Sequence, residues 1–363
     1  MASARDFVVG RDDLRQCQFL SVPSPAGVEL QTGEILLRVD KFAFTANNIT
    51  YAVFGDTMAY WKFFPAPEGW GRIPVWGFAD VIRSAHESIG EGERIYGYLP
   101  MSTHVVLRPE RVTVASFMDA AAHRRPLPAA YQLYNRVAQD PGYDPEYEDQ
   151  QALLRPLFMT SFLIQDFLAD NDFFGARAVV LSSASSKTAL GVAFELKRNQ
   201  SPKCEIIGLT SARNVAFCER LGYYDRVQTY EQLPSLPGDR PVVFVDMAGE
   251  GKLLHDIHHH FREQLKYSCM VGGTHWEQRE TQHALPGAKP VFFFAPTRIK
   301  KRMQDWGPGG VEQRFAEAWR AFLPSVNDWL QVTQSRGEAA MKKVYREVLE
   351  GKLKPEQGHM LSF

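Results

Sequence analysis

Residues 178–197 read AVVLSSASSKTALGVAFELK and carry the clearest indication of the fold. The short apolar run at 178–181 is typical of a strand that is buried on both faces. Small residues follow it, and from Lys187 onward the apolar residues recur at helical spacing. A buried strand that leads through a tight turn into a helix predicts a nucleotide-binding α/β domain, with the ligand at the carboxyl edge of the strands.

The turn lacks the glycine-rich pattern G-x-G-x-x-G that usually holds a pyrophosphate, and carries small residues, hydroxyls and a lysine instead. Such a loop permits close backbone approach, and the helix that follows offers N–H groups and a partial positive charge at its start. Either the loop holds a phosphate through side chains and backbone, or it has lost nucleotide binding and its serines cap a helix. The cofactor-binding candidates in this loop are Ser183, Ser185, Ser186, Lys187 and Thr188.

The residues at the end of the next strand, 203–211, indicate which cofactor the domain would bind. An NAD-binding fold carries Asp or Glu at the end of this strand, where the carboxylate grips the ribose hydroxyls. This chain has Thr210, Ser211 and Arg213 there and no acidic residue. Hydroxyl and guanidinium groups suit a 2′-phosphate, so the sequence favours NADP(H) over NAD. The alternative is that Arg213 is an ordinary surface charge at the start of a helix.

Strands and helices alternate along the second half of the chain, which predicts an open, mostly parallel sheet with helices on both faces. A helix precedes the deciding strand, ending at Gly175, and another ends at Gly222. Helical spacing returns in the tail at 311–334 and 337–351, before a short strand at 358–363. The remaining elements are strands at 225–230, 240–249, 266–273 and 289–296, and a helix at 251–265.

The first hundred residues alternate apolar and polar side chains at strand period, and Gly and Pro punctuate the strands. The clearest strands are 33–44, 73–84 and 93–107, which together predict a small barrel or sandwich. Residues 105–150 are less regular, so loop and short helix are expected there. The 12% aromatic content means either a Phe-rich core or an aromatic-lined pocket for an apolar substrate.

Bulk composition excludes several classes of function. The 363 residues carry a net charge of −1, so no overall field favours nucleic acid or an anionic membrane. Four cysteines without a CxxC pair fit a reducing compartment and argue against a structural zinc site. The N-terminus is charged where a signal peptide is apolar, and no apolar run reaches a membrane span. We expect a cytoplasmic protein of about two domains.

Several phrases together resemble the medium-chain dehydrogenase/reductase superfamily. They are GEILLRVDKFAFTANNITYAVFGD at 33–56, GERIYGY at 92–98, the helix and strand of 153–185, and EIIGLTSARNVAFCERLGYYDRVQTY at 205–230. The closest match is an uncharacterised bacterial branch, a domain-of-unknown-function group that keeps the loop SSASSKTA. The resemblance implies an α/β fold with a GroES-like β-barrel domain (1–150), a Rossmann-type doubly wound parallel sheet (151–296) and a helical tail (297–363) that returns to the first domain.

The zinc-dependent members of that superfamily need a catalytic Cys with a His-Glu pair and a four-cysteine lobe. This chain has one cysteine before residue 200, so the resemblance points to the zinc-free quinone and enoyl reductases. It implies NADPH-dependent hydride transfer to an activated C=C or C=O bond of an enone, enoyl or quinone substrate, without a metal. It also implies a homodimer formed through an edge strand, for which 289–296 is the candidate.

The resemblance assigns catalytic candidates as well. Tyr51 falls near the tyrosine donor of enoyl reductases, and Asn47 matches the family's asparagine. Thr160 and Ser161 lie where the family's interdomain helix approaches the nicotinamide. His275 follows a sheet strand at its carboxyl end and could act as an acid. The alternatives are a barrel aromatic for Tyr51, a turn residue for Asn47, hydroxyls bonded to their own helix for Thr160 and Ser161, and a loop cap for His275.

Two further features leave the function open. The basic segment 292–307 either contacts an anion, from the cofactor or an acidic substrate, or is a solvated helix end. The histidines at 255 and 259 are one helical turn apart, yet no glutamate base or third ligand accompanies them, so no metal is expected. The alternatives to a reductase are a non-redox ligand- or nucleotide-binding protein, and a lyase or hydrolase on the same fold.

Overall fold

A computed structural model describes residues 4–199, 204–271 and 285–363. The chain forms two compact units, one of residues 1–153 and 326–363, the other of residues 154–325. These limits differ from the expected boundaries, since the segment 297–363 is divided at residue 326 rather than kept as one tail.

The strands of the first unit are β1 Arg5–Gly10, β2 Cys17–Ser21, β3 Ile35–Phe44, β4 Trp70–Gly71, β5 Pro74–Ser84, β6 Arg94–Pro100, β7 His104–Leu107, β8 Pro109–Glu110, β9 Ser116–Asp119 and β10 Leu133–Arg136. Those of the second unit are β11 Ala178–Leu181, β12 Glu205–Thr210, β13 Arg226–Thr229, β14 Val242–Asp246, β15 Leu265–Met270 and β16 Pro290–Phe292. The chain then returns to the first unit with β17 Gln331–Arg336 and β18 Gln357–Ser362.

The helices, in chain order, are α1 Ala46–Val53, α2 Glu148–Asp170, α3 Lys187–Asn199, α4 Val215–Leu221, α5 Gly251–Phe261, α6 Ala295–Trp306, α7 Gly310–Val326 and α8 Glu338–Leu349. The limit between the two units falls inside α2.

The second unit is built on a six-stranded parallel sheet in the order β13-β12-β11-β14-β15-β16. Numbered within the sheet, this is the order 3-2-1-4-5-6 of the Rossmann-type fold. The strand β11 is buried along its whole length, as the apolar run predicted. The reversal of strand order lies between β11 and β14, so the loops after these two strands flank the position where such sheets bind ligands.

The first unit is built mainly from antiparallel strands. Its largest sheet has nine strands, in the order β17-β18-β3-β5-β6-β10-β9-β8 with β7 paired to β3. Residues 105–150, expected to be irregular, contribute β8, β9 and β10 to this sheet. Their strands are short, so the period-2 pattern in the sequence covers too few residues to be recognised.

Two helix ends and one whole helix differ from the sequence interpretation. The helix before β11 ends at Asp170 rather than at Gly175, because the residues that follow turn into the left-handed region, among them Phe173 at φ 49°. The stretch 311–334 is helical only to Val326 and ends in β17. The helix α1 was not foreseen, since its eight residues carry two asparagines.

One helix among the described residues is long and apolar enough to cross a membrane by length and composition alone. It spans Pro145–Asp170 when the short turn before α2 is included, and 56% of its most apolar window is buried. Burial of this extent is also found in core helices, so the finding is weak evidence for a membrane span. The sequence analysis predicted this helix but found no apolar run long enough for a span, because polar residues such as Gln165 and Asp166 interrupt it.

Candidate functional site

The loop after β11 is fixed to the loop after β14 through a buried serine. The hydroxyl of Ser182 donates a hydrogen bond to Oδ1 of Asp246 at 2.6 Å, and the backbone N–H groups of Met247 and Ala248 donate to the Ser182 oxygen at 2.8 and 3.0 Å. Neither side chain is more than 2% exposed. Ser182 therefore positions the two loops at the strand-order reversal and has no hydrogen left for a ligand.

Burial raises the pKa of Asp246 above its usual value, and hydrogen bonds from Ser182 and from the backbone of Gly249 and Ala248 oppose that rise. The Gly249 and Ala248 N–H groups lie 3.2 and 3.0 Å from Oδ1. Because every donor here comes from the two loops, the carboxylate acts as their common acceptor. The sequence interpretation missed Asp246, which ends β14 as the only acid on a buried apolar strand.

Ser183 adopts the left-handed conformation, with φ of 45°, at the point where the chain leaves β11 for α3. Only glycine takes this conformation without steric cost, and a non-glycine residue there is unusual. The loop therefore keeps the backbone path of a glycine turn without the glycine. Its backbone N–H donates to the hydroxyl of Tyr230 at 3.2 Å, which places Tyr230, at the end of β13, beside the loop.

Ser185 and Ser186 differ in how their hydroxyls are used. The Ser185 oxygen accepts a hydrogen bond from the side-chain amide of Asn214 at 2.9 Å and one from Thr210 at 3.4 Å. The Ser186 oxygen accepts from the backbone N–H of Ala189 at 3.3 Å, within the first turn of α3. Accepting these bonds leaves both serine hydrogens available to donate to a ligand oxygen.

Two glycines allow the loop and its helix to pack closely. A Cβ atom at Gly208 would lie 2.8 Å from the Cβ of Ala184, so β12 passes directly against the loop. A Cβ atom at Gly191 would lie 2.5 Å from the Ser161 oxygen, so α3 packs closely on α2. These glycines have the close-packing role that the later glycine of a nucleotide-binding fingerprint has.

Thr160 and Ser161 both bond to backbone carbonyls. The Ser161 hydroxyl is fully buried and lies 2.8 Å from the carbonyl oxygen of Thr188 and 3.1 Å from that of Leu157. Thr160 bonds back to Pro156 at 3.5 Å, one turn earlier in α2. The Thr160 hydroxyl therefore serves its own helix, whereas the Ser161 hydroxyl also joins α2 to α3 at Thr188. Neither hydroxyl has a hydrogen left for a cofactor.

The end of β12 carries the other predicted cofactor residues. Thr210 is buried, Ser211 is half-buried at the start of a short turn, and Arg213 is exposed. Lys187 begins α3 and is half-buried. Because β12 lies next to β11 in the sheet, both strand ends open onto the same edge, where hydroxyl and cationic groups lie and the strand end has no carboxylate.

In the first unit, the structure brings Asn47 and Tyr51 together on α1. The Asn47 amide donates to the Tyr51 hydroxyl oxygen at 2.7 Å, one helical turn away. Burial raises the pKa of Tyr51 well above its usual value, and the neighbouring tyrosines 131 and 60 raise it further. Tyr51 is therefore a neutral hydroxyl at physiological pH, and its own hydrogen is free to be donated.

Asn48 has a structural role instead. Its side-chain oxygen accepts the backbone N–H of Thr45 at 2.8 Å, and its amide donates to the carbonyl of Pro74 at 3.0 Å. The first bond belongs to the cap of α1, and the second ties α1 to β5. The helix that carries Tyr51 is thus held in place by a buried asparagine.

Tyr51 lies in an aromatic cluster, which we call the tyrosine cluster. Its ring centroid is 4.6 Å from that of Tyr60 and 5.6 Å from that of Tyr98. The hydroxyls of Tyr60 and Tyr131 lie 3.3 Å apart. The members of the cluster are Tyr51, Phe54, Ala59, Tyr60, Phe63, Phe64, Trp76, Tyr98, Val105, Leu127 and Tyr131. The aromatic residues of the chain therefore form this separate cluster as well as part of the hydrophobic core.

The basic segment 292–307 is largely neutralised within its own unit. Arg298 is 6% exposed and pairs with Asp166 at 2.5 Å and with Asp170 at 2.7 Å, both on α2. Arg302 pairs with the same two carboxylates at 2.8 and 2.9 Å. Neither predicted role fits these two arginines, because their charges join α6 to α2 rather than facing an anion or solvent.

His275 lies outside the described residues. Of the histidines on α5, His258 is fully buried and bonds to Ser268 at 3.0 Å and to the carbonyl of Pro286 at 2.9 Å. The rings of His255 and His259 stack at 3.9 Å. Across residues 4–199, 204–271 and 285–363, no group of three or more His, Cys, Asp or Glu side chains is placed to hold a metal ion.

Comparison with known families gives one match. Residues 42–354, most of the chain, match the family described as "protein of unknown function (DUF2855)". The chain belongs to this family. The domain-of-unknown-function branch expected from the loop SSASSKTA is therefore confirmed. No curated protein sequence matches the chain significantly.

Solved structures resemble the DUF2855 chain over its whole length. CurA from Vibrio vulnificus in complex with NADPH has a TM-score of 0.62 at 13% identity, and 99% of each chain is covered. A mutant form of enoyl thioester reductase from Candida tropicalis has a TM-score of 0.60 at 11% identity, with 100% of each chain covered. The quinone oxidoreductase from Coxiella burnetii has a TM-score of 0.57 at 12% identity, again with 100% of each chain covered.

These similarities confirm the predicted fold class. The DUF2855 chain has the medium-chain dehydrogenase/reductase fold, with a GroES-like β-barrel domain and a Rossmann-type domain. At identities of 11–13% the likeness concerns the fold. The chemistry of this chain must be argued from its own residues.

Proposed function

We propose that this DUF2855 protein is an NADP(H)-dependent oxidoreductase that reduces an activated C=C or C=O bond, of enone, enoyl or quinone type, without zinc. The observation that carries the proposal is the loop after β11. It keeps a glycine-like backbone path at Ser183 and close packing against Gly208, at the strand-order reversal of a Rossmann-type sheet. The proposal is supported by the similar folds of CurA, crystallised with NADPH, and of enoyl and quinone reductases.

The residues present fit a phosphorylated dinucleotide. Ser185 and Ser186 have hydrogens to donate, and the N-terminus of α3 favours the negative charge of a pyrophosphate. Ser211 and Arg213 follow β12, where a carboxylate would repel a 2′-phosphate and a guanidinium attracts it. Lys187 adds a second positive charge at the start of α3. We assign the pyrophosphate to the serine loop and the 2′-phosphate to Arg213 and Lys187.

Bound NADPH supplies a hydride, and one proton completes the reduction of the acceptor. Tyr51 is the candidate donor, because its raised pKa keeps the hydroxyl protonated and the Asn47 amide already occupies its oxygen. The tyrosine hydrogen therefore points away from Asn47 and stabilises the oxyanion or enolate that develops on the acceptor. Asn47 acts through Tyr51 and is a positioning residue.

The first experiment is calorimetric titration of the purified chain with NADPH and with NADH. We expect micromolar binding of NADPH and weaker binding of NADH. The variants Arg213→Ala and Lys187→Ala are each expected to weaken NADPH at least about tenfold and to change NADH little, because each removes a charge-assisted contact to the 2′-phosphate. Arg220→Ala, which removes an exposed arginine on α4, is the control for loss of net charge.

Equal losses of NADPH and NADH would contradict the 2′-phosphate assignment. Absence of binding to either cofactor would remove the reductase proposal and leave a non-redox ligand-binding protein as the function to test. Turnover is then measured as NADPH oxidation with an enone and a quinone, before and after dialysis against a chelator. Loss of activity that added zinc restores would contradict the zinc-free mechanism.

Self-association and location complete the proposal. Among the described strands, β16 is one of the two edge strands of the parallel sheet, and its side chains Val291 and Phe292 are 44% and 49% exposed. An exposed apolar edge strand pairs readily with another chain, so we assign it to a homodimer interface. Sedimentation of the Val291→Lys variant, which we expect to be monomeric, tests this interface.

The cysteines support the proposed location. All four are free, which is consistent with a cytoplasmic protein.

A further inference from the structure

Asn214 occupies a helix-capping position but does not act as a cap. It is the residue before α4, where an asparagine side chain commonly accepts a backbone N–H of the first turn. Within α4, all of whose residues are described, the Asn214 side chain makes no such bond. Its amide donates instead to the hydroxyl oxygen of Ser185 at 2.9 Å, across 29 residues of the chain. The side chain therefore joins the turn before α4 to the loop after β11.

The oxygen of Ser185 receives a second hydrogen bond from the same side. The hydroxyl of Thr210, the buried last residue of β12, donates to it at a longer distance of 3.4 Å. An amide nitrogen can only donate, and a hydroxyl oxygen has two lone pairs. Both acceptor positions of Ser185 are therefore occupied, and its hydrogen points away from Asn214 and Thr210.

The surrounding backbone is fixed by further contacts from the α4 segment. Tyr224, a buried residue that follows α4, donates its hydroxyl to the carbonyl oxygen of Ala184 at 2.7 Å. The backbone N–H of Asn214 donates to the carbonyl oxygen of Ser211 at 2.9 Å, which holds the turn from which its side chain extends. The position of the Ser185 hydroxyl is thus set by tertiary contacts before any ligand binds.

A hydroxyl that is fixed as a donor suits a ligand whose oxygens only accept hydrogen bonds. Ionised phosphate oxygens are such acceptors, and hydrogen bonds to charged groups are the stronger ones. Ser185 lies just before the N-terminus of α3, which adds backbone N–H groups and a partial positive charge. Because the hydroxyl is already oriented, less conformational freedom is lost when the phosphate binds.

We infer that Asn214 is a positioning residue, which holds the Ser185 hydroxyl as a donor to the pyrophosphate and joins this contact to the 2′-phosphate contact of its neighbour Arg213. The residues that reach the two phosphate positions lie on one short segment, 210–214. The inference deepens the proposed function and rests on it, because it requires that the chain binds a dinucleotide. It assigns to Asn214 a role other than the capping role that its place before a helix predicts.

The test is a double-mutant cycle on cofactor affinity, measured by calorimetric titration of the whole chain with NADPH and with NADH. Asn214→Ala and Ser185→Ala should each weaken both cofactors about tenfold, because the pyrophosphate is common to the two. The double variant should lose no more than Ser185→Ala alone, since Asn214 acts through that hydroxyl. A residue that only supports the fold would add its own loss.

Three further variants provide the comparisons. Arg213→Ala should weaken NADPH and spare NADH, so that the two neighbouring residues are separated by cofactor. Thr210→Val, which removes the longer bond, should weaken both cofactors only about twofold. Asn199→Ala is the matched control, because the amide of Asn199 donates to the carbonyl oxygen of Glu195 within α3 at 2.8 Å. Its affinities should equal those of the unaltered chain.

The inference is overturned if Asn214→Ala binds both cofactors as tightly as the unaltered chain, if it weakens NADPH alone, or if its loss adds fully to that of Ser185→Ala. Failure of the proposed function gives a different result. If the unaltered chain binds neither cofactor, both the reductase and this inference are removed. If the cycle shows the expected coupling but no acceptor is reduced, the positioning role stands and only the oxidoreductase activity is removed.

Discussion

The serine loop of the Rossmann-type unit and the tyrosine cluster of the barrel unit are both rich in hydroxyl groups, but they use them differently. Ser182 and Ser161 are fully buried and hydrogen-bonded within the protein. Tyr98 is equally buried, and its hydroxyl faces the hydroxyl of Tyr51. The comparison shows that the number of hydroxyls near a site does not reveal the number available to a ligand.

The difference follows from what surrounds each group. In the loop, backbone carbonyls, backbone N–H groups and Asp246 lie within reach of the hydroxyls, because a turn exposes main-chain polar atoms. In the tyrosine cluster the surroundings are aromatic rings, which offer few strong acceptors. Polar groups in a turn are therefore mostly satisfied by the main chain and by Asp246, whereas those among aromatic rings have mainly one another as partners.

The largest effect should come from Ser182→Ala, which removes the donor to Asp246 and the acceptor of two backbone N–H groups. We expect the free energy of unfolding of the Rossmann-type unit to fall by about 2–3 kcal/mol, since hydrogen bonds to charged groups are the strong ones. Chemical denaturation without cofactor measures this. Ser183→Ala is the control, because the Ser183 hydroxyl has no hydrogen bond within the described chain. If both variants lose the same stability, Ser182 has no special role.

An intermediate effect on the free energy of unfolding should come from protonating Glu148. This residue shows that the barrel unit also contains polar groups with several hydrogen-bond partners. Burial would raise the pKa of Glu148, but hydrogen bonds from Arg94 at 2.6 Å and from Lys41 outweigh it and lower the pKa to about 2. The ionised Glu148 therefore stabilises the fold fully above about pH 4.5, the pKa of a glutamate in the unfolded chain. This stabilisation is lost as the pH falls towards 2.

We expect about 2 kcal/mol of unfolding free energy to disappear across that window. Denaturation curves between pH 5 and pH 2.5 measure the slope, and Glu148→Gln should flatten it. Glu146→Gln, at an exposed position two residues earlier, should keep the slope of the unaltered chain. A slope that survives Glu148→Gln would assign the acid sensitivity to other carboxylates.

The smallest effect should come from Tyr98→Phe. Removing the Tyr98 hydroxyl, which faces other phenols, should lower the free energy of unfolding by no more than about 0.5 kcal/mol. Tyr134→Phe should lose about 1 kcal/mol, because its hydroxyl is hydrogen-bonded at 2.6 Å. Thermal and chemical denaturation of the two variants side by side decide the matter. A loss from Tyr98→Phe as large as that from Tyr134→Phe would mean that the contrast between the two regions does not hold.

Much of the site region could be predicted from the sequence. The strand, turn and helix of 178–199 lie where the pattern placed them, and Asn47 does contact Tyr51. Asp246 and Tyr230 were missed because they reach the loop after β11 from other strands of the sheet. An acid at the end of an apolar strand was the available signal for Asp246, and Tyr230 carried none.

The Rossmann-type unit and the missing acid after β12 could be predicted from the sequence, because apolar periodicity and strand-end residues are local properties of the chain. Which hydroxyls are used internally depends on the tertiary structure. Ser161, Ser182 and Ser185 look alike in the sequence, yet their partners lie 27, 64 and 29 residues away. Hydrogen bonding depends on distances of about 3 Å between atoms, and only folding brings such distant residues that close.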